Sequence, residues 1–321
     1  MKILNTIIIG LGNQSISEHI PAVLSTDRYK LVALVDPDLS KREKVKEVFD
    51  IEDVAFYEDT KNALKNHDVD VAIIVVPHNK YLPLIKLCAE KSIHVLKEKP
   101  FAISLDEAGK TKSIADTHDI KIMTCFQRRF HPIYQSFKIM LKQLGDITTV
   151  SAFYTISSKN PNSGWRNNLD EAGGGVLLDM GYHILDLLIW FFDPPTIDNS
   201  FLSTNRPDLY DVDDTALFDF HVKDIHGSAF ISCVYPYKRE EMVVIGTKGS
   251  AVLKRDYIAR YNRKQNIVEE LESKAGWESA MIKQLDYFYD VIINDEADYL
   301  SNPTFQTNYH VKIMEKLYEK K

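Results

Sequence analysis

Hydrophobic positions open the chain as a short run, residues 6–9, stopped at once by Gly10-Leu11-Gly12-Asn13-Gln14-Ser15. A run this short, bounded by glycine, reads as a buried strand, and the segment behind the glycines reads as a helix. The pattern then recurs. Residues 30–35, 54–57, 69–76, 93–96 and 120–126 read as strands, with helix-like stretches over 60–66 and 82–91. Ser104-Leu105-Asp106-Glu107 is a capping box that opens a further helix. Alternation of this kind predicts a parallel, doubly wound sheet.

From residue 147 the rhythm changes to strands with few helices, among them 148–156, 215–222 and 228–234, which predicts an antiparallel sheet. Met281, Leu285, Phe288 and Ile292 recur at helical spacing, and Asn302-Pro303 opens a last helix with proline in its first turn. Two domains are expected: an α/β dinucleotide-binding (Rossmann) domain over residues 1–126, and an α+β domain over 127–321.

One helix stands apart. Behind Gly173-Gly174-Gly175, the positions Asp179, His183 and Asp186 follow i, i+4, i+7, while Leu177, Leu178, Ile184, Leu187, Leu188, Trp190 and Phe191 make the remaining surface apolar. Buried carboxylates and imidazoles are costly unless paired, so the stripe predicts a lined cavity or a hydrogen-bonded network. A histidine on such a helix is equally read as a satisfied core residue.

Composition narrows the function classes. With 45% hydrophobic and 26% charged residues in 321, the chain has the balance of an ordinary globular protein. Its apolar N-terminal run is too short for a membrane span and lacks a cleavage site, so neither export nor anchoring is expected. Cys88, Cys125 and Cys233, few and scattered, read as buried thiols in a reducing, cytoplasmic compartment. A net charge of -7 supplies no basic field for nucleic acid or anionic lipid, which leaves small molecules as ligands.

The glycine turn fits a pyrophosphate: Gly10 permits the tight turn, Gly12 lets backbone approach, and the N–H groups led by Asn13 and Gln14 offer donors and a helix dipole. Ser15 replaces the third glycine. Asp36, ending the second strand, stands where an acid binds the adenosine ribose diol, which favours NAD over NADP, with Lys41 and Arg42 nearby as an offset. Two more strand ends carry chemistry, Val76-Pro77-His78-Asn79 and Glu98-Lys99-Pro100, although Lys97-Glu98-Lys99 also reads as a solvated strand end. Asp211-Val212-Asp213-Asp214 reads as a solvated turn without a metal loop, and residues 157–164 as a substrate-side lid. No tight Cys/His cluster calls for a metal.

Taken together, Gly10-Leu11-Gly12, Asp36, Val76-Pro77, Glu98-Lys99-Pro100, Gln127-Arg128-Arg129-Phe130, Trp165-Arg166, and Gly173-Gly174-Gly175 followed by Asp179, Gly181, His183 and Asp186 resemble the Gfo/Idh/MocA oxidoreductases over nearly the whole chain. The resemblance implies a Rossmann domain, a second domain with an open, mostly antiparallel sheet, and hydride transfer at a secondary alcohol or ketone of a sugar or polyol. It places Lys99, Asp179 and His183 in the family's catalytic group, and Trp165 and Arg166 near the nicotinamide end of the cofactor; Asn79, Glu98, Lys99 and Gln127 are expected among the cofactor-binding residues as well. It also implies a homodimer or homotetramer formed through the second sheet. Tyr81 stands where members often carry histidine. Two rival readings stay open: a non-catalytic NAD(H)- and sugar-binding sensor, and a metal-dependent enzyme that uses Asp179, His183 and Asp186.

Overall fold

The computed structural model describes residues 2–158, 164–273, 276–295 and 300–319. The stretch read as a lid therefore falls mostly outside the described residues. The chain divides into two compact units, Met1–Gln127 with Gly276–Asn308, and Arg128–Ala275 with Tyr309–Lys321. The expected second domain, 127–321, is thus interrupted: Gly276–Asn308 returns to the first unit.

In the first unit, β1 (Leu4–Ile9), β2 (Tyr29–Val35), β3 (Ala55–Tyr57), β4 (Val71–Ile74), β5 (His94–Lys97) and β6 (Ile122–Thr124) form one sheet. Its order is β3-β2-β1-β4-β5-β6, all parallel. Strand order reverses at β1 and β4, and the crevice beyond the carboxyl ends at such a point is where α/β sheets bind ligands. β4 is buried at every position, as a strand covered on both faces must be. The helix Trp277–Ile293 packs here through Met281, Leu285 and Phe288. The Tyr29 hydroxyl donates to the Leu285 carbonyl at 2.7 Å, and Arg28 donates to Asp290 at 2.9 Å. Helical spacing told that one face of this helix is covered; it carried no information about which unit covers it.

The second unit holds β7 (Ile147–Ser157), β8 (Thr196–Ser203), β9 (Thr215–Val222), β10 (Ile225–Ser232), β11 (Val234–Gly246), β12 (Gly249–Lys254), β13 (Tyr257–Asn262) and β14 (Ile267–Glu272). They form a sheet of order β14-β13-β12-β11-β7-β10-β9-β8, antiparallel except for the β7–β10 pair. Alternation along β9 buries Ala216, Phe218, Phe220 and Val222 and turns Leu217 outward. Register continues that outward row through Phe201, Leu217, Phe230 and Phe153, with Phe201 60% and Leu217 39% exposed. The segment Leu169–Phe192 is long and apolar enough to cross a membrane, but 78% of its apolar window is buried inside the protein.

Candidate active site

β1 runs into Gly10, whose φ is +94° and on which a Cβ would fall 2.1 Å from the Val75 carbonyl oxygen. Only glycine turns the chain there. A Cβ on Gly12 would meet nothing within 4 Å, so the space a ligand backbone contact needs is open. Asn13 is exposed and Gln14 half-buried at the head of the helix, which begins with a widened turn over Ser15–His19. Ser15 is buried and donates to the Gly10 carbonyl, so the residue in place of the third glycine ties helix to turn.

Asp36 closes the same turn. Its Oδ2 accepts from the Leu11 N–H at 2.8 Å and its Oδ1 from the Asp38 N–H at 2.9 Å, with the Lys41 ammonium 3.5 Å away. A carboxylate oxygen has a second lone pair, so both can also accept from a ribose hydroxyl.

Val76 and Pro77 are half-buried past the end of β4. Beyond them, the Asn79 Oδ1 is buried without a hydrogen-bond partner, and past β6 so is the Gln127 Oε1. An unsatisfied buried acceptor costs about 1–3 kcal/mol, which a donor on a bound molecule would remove. Both orphaned amides belong to the residues assigned to the cofactor from sequence, and the amide and hydroxyl donors of a nicotinamide riboside suit them.

At the end of β5, Glu98 Oε1 and His19 Nε2 are 2.8 Å apart. Burial opposes ionisation of Glu98, but the hydrogen bond and charge of His19 together with the charges of Lys99 and Lys97 outweigh it and hold the carboxyl below its ordinary range. His19, Glu98 and Cys125 bring ligand-type atoms within 4.8 Å of one another. The His19–Glu98 contact is a hydrogen bond, and burial pushes the Cys125 thiol up, away from the thiolate a metal needs. Lys99 is half-buried, follows a wholly buried Lys97, and precedes a cis peptide bond to Pro100. The reading of residues 97–99 as a solvated strand end is corrected by that burial.

In the second unit, the N–H groups of Gly175 and Leu177 donate to the two carboxylate oxygens of Asp213 at 2.9 and 2.8 Å, and the Val176 N–H to its carbonyl at 2.8 Å. Asp213 caps the helix, and a Cβ on Gly175 would fall 1.9 Å from the Asp213 carbonyl oxygen. Residues 211–214 are therefore not a solvated turn: Asp213 and Asp214 are 4% and 0% exposed, and Asp214 accepts from Tyr210 and from the Asn205 N–H at 2.7 Å each. An aspartate that caps a helix start 36 residues before it leaves no local signature.

The helix opens with a widened turn, Leu177–Gly181, before regular turns over Tyr182–Phe192. That change of phase splits the expected stripe. Asp179 is part-exposed with its carboxylate 3.3 Å from Arg166 Nε, and that guanidinium lies 4.4 Å over the Trp165 ring. His183 is half-buried, its ring 6.4 Å from that of Tyr154. Asp186 is 2% exposed and held by Arg129 and by His310 at 2.9 Å. Its engagement leaves no three-residue ligand set on this helix.

Tyr154 belongs to a network that the sequence did not disclose. The Arg128 guanidinium sits 5.3 Å from its ring and donates to Glu240 at 3.1 and 2.8 Å, and Tyr134 donates to the same oxygen at 2.9 Å. Glu240 lies opposite Tyr154 across β7 and β11. Burial opposes the Glu240 charge, but Arg128 prevails and holds its carboxyl below the ordinary range. Arg128 and Glu240 are 112 residues apart, so pairing of the strands creates the contact and no motif announces it.

Comparison with known proteins bears on both units. Residues 4–126 match a family model described as "Oxidoreductase family, NAD-binding Rossmann fold", and residues 138–252 one described as "GFO/IDH/MocA C-terminal domain". An uncharacterized oxidoreductase of Synechocystis sp. is 29% identical over 277 residues, 80% of this chain and 73% of the relative. D-xylose 1-dehydrogenase (NADP(+)) 2 of Haloferax volcanii is 23% identical over 189 residues, 59% of this chain and 57% of the relative. Levoglucosan dehydrogenase, solved with NADH and levoglucosan, superposes with a TM-score of 0.86 at 18% identity over 100% of this chain and 98% of that one. The 3-ketoreductase KijD10 of Actinomadura kijaniata, solved with NADP and TDP-benzene, gives 0.86 at 18% over 98% of each chain.

Proposed function

Because the chain belongs to the GFO/IDH/MocA family of NAD-binding oxidoreductases, we propose that it interconverts a secondary alcohol and a ketone on a sugar, polyol or sugar derivative, with Lys99, Asp179 and His183 as its proton-handling group. The observation that carries this is the pair of orphaned acceptors, Asn79 Oδ1 and Gln127 Oε1, past two strand ends of the dinucleotide fold. Gly10, Gly12, Asn13, Gln14, Asp36, Val76, Pro77, Asn79, Glu98, Gln127, Trp165 and Arg166 would hold the cofactor. When bound, the nicotinamide supplies the hydride acceptor or donor.

The chain's own residues supply the rest. The His183 imidazole, a side chain able to act as acid or base, takes or returns the proton of the reacting hydroxyl. Asp179, already 3.3 Å from Arg166, keeps a carboxylate on the same helix to orient that imidazole. The Lys99 ammonium stabilises negative charge developing on the reacting oxygen. A homo-oligomer formed through the second sheet is part of the reading, supported by the outward row of Phe201, Leu217, Phe230 and Phe153. The acidic chain and its buried thiols support a cytoplasmic enzyme without nucleic-acid or membrane partners.

The test is turnover of a panel containing D-xylose, levoglucosan, free polyols and nucleotide-linked sugars with NAD and NADP. His183→Ala and Lys99→Ala should each lower turnover by roughly two or more orders of magnitude with cofactor affinity kept, and the double variant should lose much less than the sum. Tight NADH binding without turnover of any panel member would favour the sensor. An active, merely destabilised His183→Ala would return that residue to the core.

A further inference from the structure

Lys97 is the last residue of β5 and is 0% exposed. Its Nζ donates to three backbone carbonyls of the turn that follows: Glu98 at 2.9 Å, Pro100, and Phe101 at 3.2 Å. The Tyr81 ring covers it, 3.8 Å from the nitrogen to the centroid, and Tyr81 also donates from its hydroxyl to the Lys99 carbonyl at 3.3 Å. An ammonium has three N–H donors and no lone pair, which matches three acceptors and an aromatic face. A neutral amine has two donors and would turn its lone pair on the third carbonyl. The carbonyls so gathered flank Lys99 on both sides.

We propose that Lys97 is the positioning residue of this turn: as an ammonium it holds the carbonyls of Glu98, Pro100 and Phe101 together and thereby fixes where the Lys99 side chain starts, and as an amine it holds only two of them and releases the third. The inference rests on the catalytic reading of Lys99. Groups from several elements face Lys97. Glu107 comes from the helix Leu105–His118, Cys125 from beyond β6, and Glu98 and Lys99 from the turn itself. Burial drives its pKa down to about 7, against Glu107, Cys125 and Glu98, and Lys99 adds to the fall. The ammonium is therefore complete below neutral pH and lost as pH rises through it, so turnover falls on that limb. Stability moves the other way. Unfolded lysine keeps its proton to about pH 10.4, so from about 7 upward the unfolded chain binds more protons and this group makes folding more favourable as pH rises.

Isotope-edited carbonyl NMR of the full chain with NADH reads the clamp without any substrate. The Glu98, Pro100 and Phe101 carbonyl signals should inflect together with the Lys97 side chain between about pH 6 and 8, and the absence of a shared inflection overturns the proposal whether or not any variant folds. Turnover of levoglucosan and D-xylose gives the second reading. Lys97→Met should lower kcat at acid-side pH by roughly 10- to 100-fold, leave NADH affinity within about threefold and abolish the alkaline limb, while Lys97→Arg restores part of kcat without that limb. Wild-type kcat and pH profile in Lys97→Met would overturn it. If Lys99→Ala alone impairs turnover, only this inference fails; if Lys99→Ala is as active as wild type, the catalytic reading has failed instead.

Discussion

Arg129 grips Asp186 across 57 residues, donating from Nε to both carboxylate oxygens at 3.2 and 3.0 Å and from a terminal nitrogen to Oδ1 at 2.8 Å. His310, whose ring stacks on Tyr182 at 5.5 Å, adds a contact of 2.9 Å to the same Oδ1. This joins the start of the second unit, its central helix and its last segment at one buried carboxylate. Asp186→Ala leaves a buried guanidinium without its counter-ion and should cost about 3–5 kcal/mol. Thermal unfolding with and without NADH measures it. A large fall in Tm with cofactor affinity retained is expected, and an unchanged Tm would remove Asp186 from the structural role.

Acid should loosen the second unit in two stages. Burial depresses the pKa of His310, and the carboxyls of Asp186 and Glu240 are held low by Arg129 and Arg128 against burial. All three bind protons less readily folded than unfolded, so each withdraws stability as pH falls. His310 acts first, below about pH 6.5, and the carboxyls below about 4. Tm followed from neutral to acid pH should decline throughout, and a rise between pH 7 and 5 would contradict the assignment.

Asp213 holds the start of the helix that bears Asp179 and His183, and Tyr318 donates to it at 3.0 Å. Asp213→Ala should cost about 1–2 kcal/mol for the cap. Gly175→Ala should be worse, because its Cβ would sit against backbone. Comparing Tm of the two variants checks the order.

With Lys41 3.5 Å from the Asp36 carboxylate, the charge facing a ribose phosphate is partly offset. NADH should still bind about tenfold tighter than NADPH, and Asp36→Ser should close that gap, a change of about 1.4 kcal/mol. Fluorescence titration of both cofactors decides it, and tighter NADPH binding to the unaltered chain would reverse the preference.

What the sequence disclosed followed from local physics. β1 and β2 are apolar runs stopped by glycine and aspartate, Ser104 caps its helix by accepting from the Glu107 N–H, and the glycine turn folds as its φ requires. What it withheld is set by pairing at a distance. Glu240 has meaning only once β11 lies against β7, Asp213 only beside Gly175, and Lys97 only when its own turn folds back over it. Asp186 parts from Asp179 for a different reason: a 3.6-residue wheel assumes a uniform helix, and Leu177–Gly181 is widened.

The return of Gly276–Asn308 to the first unit has a consequence for how the protein is made. On a ribosome the six strands of the parallel sheet emerge early, yet Tyr29 finds Leu285 only 256 residues later. Until then the surface destined for Met281, Leu285 and Phe288 faces solvent. Closing so long a loop adds only slowly to the entropic cost, but it delays the contact. The nascent first unit thus carries this apolar surface uncovered for most of synthesis, and a chain cut ahead of Trp277 is expected to keep it exposed and to aggregate more readily than the full chain.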